Sequence, residues 1–232
     1  MLEGLGMARL ARLVLPGLPH HVTQRGNRRM QTFFEDEDYA LYKHLLCEAA
    51  AKAGSEIWCY CLMPNHVHII MVPSHEDGLC ATFADAHRRY TGAINARLRE
   101  TGHLWQGRYG SVVMDEAHLA HAVRYVALNP VRARLVGRAE EWQWSSVRAH
   151  LDEEDDGLVS VAAIRKRYGR FREFLGDGEL PEAAYRALRQ SETTGRPLGS
   201  EQWLEELEKQ TGRRIRPRKR GPKPKTDNNS YI

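Results

Sequence analysis

The stretch "SEIWCYCLMPNHVHIIMVP", residues 55–73, is the most apolar part of the chain and nevertheless holds two histidines one residue apart. Its two halves are rich in β-branched and aromatic residues and flank Pro64-Asn65, which predicts two strands joined by a turn. Side chains two positions apart on a strand point to the same face. The imidazoles of His66 and His68 are therefore expected to project together.

Elements on either side of these strands follow a regular order. A strand is predicted over residues 20–26, and a helix over 35–54, with acidic residues at its start and Gly54 at its end. A second helix is predicted over 81–100 and a further strand over 102–114. The order β-α-β-β-α-β predicts an α+β fold, the ferredoxin-like antiparallel sheet with two helices packed on one face.

Length and composition exclude several classes of protein. The 232 residues, 42% of them hydrophobic, suffice for one large domain or for a domain of about 150 residues with a smaller one. No run approaches the roughly 18–20 apolar residues that span a bilayer, and the N-terminus lacks a secretory core, so a cytoplasmic protein is expected. Four cysteines are too few for a disulfide framework. Cys59 and Cys61 are interpreted as core thiols, with a zinc cluster as the alternative.

Basic charge is concentrated near the C-terminus. Residues 212–225 hold eight Lys and Arg and no acid, which exceeds the net charge of +4 of the whole chain. A cationic run interrupted by Pro and Gly cannot bury a core, and it is typical of a disordered arm attracted to polyanions. Contact with nucleic acid is the favoured interpretation, and a solvated tail is the alternative.

The paired histidines permit two interpretations. Two neutral imidazoles on a rigid strand offer two lone pairs at a fixed separation, which is half of a divalent metal site. The alternative is a pair of half-buried histidines, each bonded to a backbone carbonyl. The H-x-H pattern alone does not choose between them.

A helix that begins at Asp115 supplies further candidate groups. Pro130 ends this helix directly after Asn129. Tyr125 and Asn129 are one i,i+4 step apart and are expected to project in one direction. Its neighbouring apolar stripe, expected to pack on the sheet, consists of Leu119, Ala122, Val123 and Val126.

Two imidazoles, an amide oxygen and a phenol have a specific chemical use if they meet. A divalent cation bound to phosphodiester oxygens neutralises charge in the transition state, an effect worth several kcal/mol. Tyrosine, with a reference pKa of about 10, is a poor nucleophile at neutral pH unless a metal or base favours its phenolate. The His, His, amide set leaves positions open for phosphate and suits Mg²⁺ or Mn²⁺.

Several motifs in order resemble one family, the HUH-class single-tyrosine transposases, and most closely those associated with repetitive extragenic palindromes (REP). They are "HVTQRGNR", "YCLMPNHVHII", "LWQGRYGS", "RYVALNPVRARLV", "WSSVRAH" and "GRPLGSEQWLEELEKQTGRR". The resemblance covers most of residues 7–215.

The resemblance implies a reaction and roles for named residues. Such enzymes cut single-stranded DNA at hairpin-flanked sites, form a 5′-phosphotyrosine and free a 3′-hydroxyl. Tyr125 matches the nucleophile, and His66, His68 and Asn129 match the metal ligands. The enzyme would act as a monomer or homodimer.

DNA contacts are expected from basic and polar residues. The loop after the first strand and the "WQGRY" motif place such groups together, and the C-terminal run adds more. These candidates are Arg25, Asn27, Arg28, Arg29, Arg108, Arg213, Arg214, Arg216, Arg218, Lys219 and Arg220. For the loop the alternative is a solvated turn, and for Trp105 it is a place in the core.

The chain is expected to have three parts. Residues 1–150 would form the ferredoxin-like catalytic domain, 151–211 a helical extension that suits a helix-turn-helix-like DNA-binding module, and 212–232 a basic disordered tail. A different class of function, a non-catalytic hairpin DNA- or RNA-binding module on the same scaffold, stays open.

Overall fold

The computed structural model describes residues 12–176 and 181–216. Four strands form one sheet: β1 His20–Arg25, β2 Ser55–Met63, β3 His66–Pro73 and β4 Gly110–Val113. The helices of the described ranges are α1 Asp36–Lys52, α2 Gly78–Leu98, α3 Glu116–Ala127, α4 Asn129–Arg132, α5 Val147–Asp152, α6 Ala162–Tyr168, α7 Phe171–Leu175, α8 Glu182–Thr194 and α9 Glu201–Thr211. Short 3-10 turns cover Asn27–Arg29 and Ala139–Glu141. Within these ranges no helix is both long and apolar enough to cross a bilayer.

The sheet confirms the predicted α+β fold. Its strand order is β2-β3-β1-β4, and each neighbouring pair is antiparallel. Helices α1 and α2 contact each other and cover one face, as the order β-α-β-β-α-β predicts. The register places Arg25 opposite His66 and Thr23 opposite His68.

Strand β3 divides its side chains between the two faces of the sheet. Val67 and Ile69 join the cluster under α1 and α2, which we call the core face. His66 and His68 point the other way, with Ile70, which packs in the cluster beneath α3. We call this second face the site face. Because both faces are covered, β3 is apolar almost throughout, and the histidines are the exceptions.

Helix α3 lies on the site face because of its apolar stripe. The predicted stripe residues are all fully buried in the cluster beneath it: Leu119, Ala122, Val123 and Val126. Asp115 caps the helix by accepting a hydrogen bond from the backbone N–H of His118. The helix ends at Ala127, two residues earlier than predicted, and Asn129 begins the separate turn α4.

The strand predicted over residues 102–114 is wrong for most of its length. Only Gly110–Val113 is a strand, and Trp105 makes an isolated bridge to Gly26. Glycines with positive φ, at 102 and 107, interrupt the extended backbone. Trp105 itself packs in the core face beside His87, with ring centroids 4.6 Å apart, so the core interpretation of this residue is the right one.

The C-terminal helices pack against the sheet domain. Helix α8 contacts both α3 and β4, and Leu188 is buried in the site-face cluster. Residues 212–216 continue from α9, where Ile215 is buried and Arg216 pairs with Glu205 and Glu208. The division of the chain at residue 150 and the disorder of the tail stay predictions, and residues 217–232 lie outside the described ranges.

Candidate active site

The predicted histidine pair lies at the start of β3 on the site face. The ring centroids of His66 and His68 are 4.9 Å apart, and the rings are close to perpendicular. The nitrogen Nδ1 of His66 lies 2.7 Å from Oδ1 of Asn65. This contact leaves the Nε2 atom of His66 for a ligand. His68 is 2% exposed, whereas His66 is partly open to solvent.

Tyr125 reaches the same place from α3. Its ring centroid is 5.4 Å from that of His68 and 5.8 Å from that of His21. Only 2% of Tyr125 is exposed. Its hydroxyl makes hydrogen bonds with Arg189 and Glu192, both on α8. Burial raises the pKa of this phenol above its ordinary value, so the hydroxyl is protonated in this structure.

Three residues of the site were not predicted from the sequence to belong to it: His21, Arg189 and Glu192. His21 Nε2 lies 3.0 Å from His68 Nδ1. The Oε1 atom of Glu192 lies 3.6 Å from His68 Nδ1 and 4.0 Å from His21 Nδ1. The side chains of His21 and Thr23 lie on one face of β1, because they are two positions apart in a strand. Thr23 lies opposite His68, so strand alternation could have placed His21 on the same face as His68. No sequence signal points to the two α8 residues, because their approach depends on how α8 packs.

Burial sets the protonation of this cluster. Desolvation lowers the pKa of His66 to about 4, with Arg25 and Arg189 as smaller causes, and lowers that of His21 to about 3. The pKa of His68 also lies well below its ordinary value. These imidazoles are neutral near pH 7 and keep a lone pair for a metal. Burial also raises the pKa of Glu192 to about 7.

The histidines open onto a cleft of about 480 Å³. Four arginines line it, which makes it suited to an anionic ligand such as a phosphodiester backbone. We refer to it as the cleft, and its wall consists of Thr23, Gln24, Arg25, Arg29, His66, His68, Gln106, Arg108, Gly110, Arg189, Glu192 and Thr193. Three of its arginines, Arg25, Arg29 and Arg108, are among the predicted DNA contacts.

The loop after β1 is held in a fixed shape beside the cleft. Arg28 and Arg29 both have positive φ, 52° and 63°. The backbone oxygen of Arg29 accepts a hydrogen bond from the Asn65 side chain. A Cβ at Gly26 would lie 2.2 Å from the Met30 carbonyl oxygen, so only glycine fits there. Asn27 and Arg28 belong to this loop but do not contribute to the cleft wall in the described structure.

The other predicted residues lie elsewhere. Asn129 is half-buried at the start of α4 and does not line the cleft as described. Arg213 donates a hydrogen bond to the Arg12 carbonyl oxygen, and Arg216 is engaged by carboxylates. Neither these residues nor Arg214 belong to the cleft wall given above. Arg218, Lys219 and Arg220 lie outside the described residues.

The donor set fits a divalent metal. Among the described residues, ligand atoms of His21, His68 and Glu192 lie within 4.8 Å of one another. Two buried polar atoms there, His21 Nδ1 and Glu192 Oε1, have no hydrogen-bond partner among the described residues. Neutral imidazoles and a carboxylate suit Mn²⁺ among other ions. Cys59 and Cys61 pack in the site-face cluster, as expected of core thiols, and burial raises the pKa of the Cys59 thiol to about 12. Neither cysteine belongs to the group of close ligand atoms found among the described residues.

The chain is similar in sequence and in fold to known transposases. A family model described as "Transposase IS200 like" matches residues 16–129. The REP-associated tyrosine transposase of Escherichia coli K12 is 23% identical over 122 residues, which are 52% of this chain and 70% of that protein. A solved structure of a REP-associated tyrosine transposase bound to a REP hairpin aligns over 67% of this chain and 90% of its own, with 22% identity and a TM-score of 0.55. That likeness shows the fold. By the family match, residues 16–129, just under half of the chain, are similar to the IS200-like transposases.

Proposed function

We propose that this chain cleaves and rejoins single-stranded DNA next to hairpin sites, with Tyr125 as the nucleophile and a divalent metal, Mg²⁺ or Mn²⁺, as cofactor. The observation that carries the proposal is the contact of Tyr125 with His68 beside a cleft lined by four arginines. The hairpin-bound relative supports the substrate class, because the two proteins share a fold.

The covalent step balances without water. The Tyr125 oxygen attacks a backbone phosphorus, the bond from phosphorus to the 3′ oxygen breaks, and a 5′-phosphotyrosine forms. The phenol loses its proton and the departing 3′ oxygen gains one, so a 3′-hydroxyl is released. The reverse attack by a 3′-hydroxyl rejoins strands and restores the phenol. Such covalent catalysis divides one difficult displacement into two easier steps.

Residues of the site face would hold the metal. His66 and His68 offer neutral imidazole nitrogens at the cleft wall. Asn129 is the third ligand in our proposal, which requires its amide to turn toward the histidines from the start of α4. The ion would supply charge neutralisation on the phosphate oxygens as negative charge develops.

The arginines of the cleft would hold the DNA backbone. Arg25, Arg29 and Arg108 come from three separate places along the chain and face one cavity. Guanidinium groups bind phosphate through paired hydrogen bonds, so they fix the strand without reading its sequence. Asn27 and Arg28 on the adjoining loop, with the basic C-terminal residues, would extend this contact. We expect the reaction in the cytoplasm, by a monomer or a homodimer.

One observation favours the non-catalytic alternative, a hairpin-binding module. Tyr125 is 2% exposed, and its hydroxyl is occupied by Arg189 and Glu192. A phenol in this state cannot reach a phosphate unless α8 moves or its hydrogen bonds exchange. A binding module would need no such change.

The test is a covalent adduct assay. End-labelled single-stranded DNA containing hairpin repeats of the source genome is incubated with the full-length protein and Mn²⁺, then resolved on a denaturing gel. We expect a labelled protein band that is absent with a chelator or in Tyr125→Phe. Tyr185→Phe is the matched control, because its ring lies 5.6 Å from that of Tyr125, and it should retain the band. If the protein binds the hairpins of a panel of repeats but forms no adduct with any of them, the catalytic proposal is wrong and the binding module is the better description.

A further inference from the structure

We propose that His21 is a positioning residue that holds His68 in the one tautomer able to bind the metal through Nε2. This inference rests on the proposed function. In it His21 accepts a hydrogen bond from the Nδ1–H of His68, and Glu192 lies beside both rings. In this arrangement His21 does not bind the metal itself, although its ligand atoms lie close to those of His68 and Glu192.

His21 lies behind His68 as seen from the cleft. The two rings approach through His21 Nε2 and His68 Nδ1, 3.0 Å apart. His21 is 1% exposed and does not line the cleft, whereas His68 does. A phosphate or a metal in the cleft therefore meets His68 first.

The direction of the hydrogen bond between His21 Nε2 and His68 Nδ1 depends on which ring carries the shared proton. A neutral imidazole carries one proton, so in this pair one ring must donate and the other accept. Both Nδ1 atoms face the same carboxylate oxygen, Oε1 of Glu192, at 4.0 Å from His21 and 3.6 Å from His68. When Glu192 is ionised, its Oε1 atom can only accept, and it then favours protons on both Nδ1 atoms. His21 Nε2 is then bare and accepts from the Nδ1–H of His68.

This hydrogen bond determines the state of the other ring nitrogen of His68, Nε2. With its proton on Nδ1, the Nε2 atom keeps its lone pair for a cation. The hydrogen bond made by one ring nitrogen decides which state the other nitrogen adopts. Partners of this kind also fix ring orientation and raise ligand basicity, and their loss costs roughly 10- to 100-fold in metal affinity.

The buried pair of unpartnered atoms supports this arrangement. Neither His21 Nδ1 nor Glu192 Oε1 has a hydrogen-bond partner within the described structure, although they face each other. An unpaired buried polar atom is costly. Movement of about an ångström by either side chain would bring them to hydrogen-bond distance and would complete a relay from Glu192 through His21 to His68.

The test reads the tautomer directly. Long-range ¹H–¹⁵N NMR of the metal-free, full-length protein with ¹⁵N-labelled histidine distinguishes a protonated Nδ1 from a protonated Nε2, and His68→Gln assigns the signals. We expect His68 protonated on Nδ1 in the wild type. His21→Phe should lose this single state, and His21→Gln should keep it because the amide oxygen can stand at the Nε2 position.

Mn²⁺ titration followed by electron paramagnetic resonance supplies the second readout. We expect His21→Phe to weaken Mn²⁺ binding by about 10- to 100-fold, and His21→Gln to recover most of it. The matched control is His87→Phe, a buried histidine on the core face, which should bind Mn²⁺ like the wild type. Circular dichroism establishes that each variant is folded.

Three results would overturn the proposal. They are a wild-type His68 protonated on Nε2, a folded His21→Phe variant with unchanged Mn²⁺ affinity, and Mn²⁺ binding that His21→Gln abolishes but His66→Gln spares. The last result would make His21 a ligand. If the wild type binds no Mn²⁺ and forms no DNA adduct, the proposed function fails, whereas the tautomer measurement still decides the role of His21.

Discussion

The two faces of the sheet bury histidines equally well but treat their polar atoms differently. On the core face, desolvation lowers the pKa of His87 to about 3, and its Nε2 is 3.0 Å from the Tyr42 hydroxyl. On the site face, His21 is as strongly desolvated. Within residues 12–176 and 181–216, its Nδ1 has no hydrogen-bond partner and faces Oε1 of Glu192, which has none either. Burial alone therefore does not mark a functional histidine. His21 differs from His87 because its unmet hydrogen-bonding atom faces another such atom, Oε1 of Glu192, beside the cleft.

The largest expected difference between the faces is in strand cleavage. His68→Gln should slow adduct formation by about 10³- to 10⁴-fold, which corresponds to about 4–5.5 kcal/mol, because the proposed metal ligand would be lost. His87→Gln, a matched change of a buried histidine, should leave the rate within a few-fold. Single-turnover kinetics on hairpin DNA measures both. Equal losses in the two variants would contradict a special role for the site face.

The core face should instead dominate stability. Phe33 is fully buried and its ring stacks on Tyr39 with centroids 4.4 Å apart. Phe33→Ala should lower the free energy of unfolding by about 3–5 kcal/mol through lost burial and a residual cavity. Urea denaturation measures this loss. Tyr125→Phe removes only a hydroxyl and should cost far less, so a larger loss there would reverse the comparison.

Acid should reveal the buried core histidine. Because the folded-state pKa of His87 is about 3 and its ordinary value is 6.5, the unfolded chain binds the proton first. The contribution of the neutral His87 ring to the free energy of unfolding is fully present above pH 6.5 and is lost as the pH falls toward 3. The wild type should lose about 1.4 kcal/mol per pH unit in that window relative to His87→Gln. A difference between the two proteins that does not change with pH would contradict this.

The smallest effect is expected at the cleft wall. Arg108 is exposed and lines the cleft, so Arg108→Gln should weaken hairpin binding only a few-fold and leave folding unchanged. The slope of log affinity against log salt should become shallower by about 0.7–0.9. Arg88→Gln on the exposed side of α2 is the control, since Arg88 pairs with Asp85 away from the cleft. Fluorescence anisotropy at several salt concentrations separates the two variants.

The sequence predicted the fold well because its signals are local. Alternation in β3 and the spacing of three and four in α3 depend only on neighbouring residues, so the shared face of His66 and His68 and the buried stripe of α3 could be predicted. The stretch 102–109 misled because Trp105 looks like a strand residue but packs as a core aromatic from a loop.

The site was harder to predict for the same reason. Arg189 and Glu192 enter it from α8, and that approach depends on the docking of helices that no local pattern encodes. Asn129 shows the converse case. Its i,i+4 relation to Tyr125 assumes an unbroken helix, whereas α3 ends at Ala127 and Asn129 starts a new turn. Its place as a metal ligand stays a prediction.

The tyrosine that carries DNA can be identified directly. The covalent adduct formed with Mn²⁺ is digested with a protease and a nuclease, and the nucleotide-linked peptide is sequenced by mass spectrometry. We predict a nucleotide remnant on Tyr125, joined through a 5′ phosphate. A remnant on Tyr185 or on another tyrosine, or none on any peptide although the protein binds the hairpin, would contradict the assignment of the site face as the catalytic one.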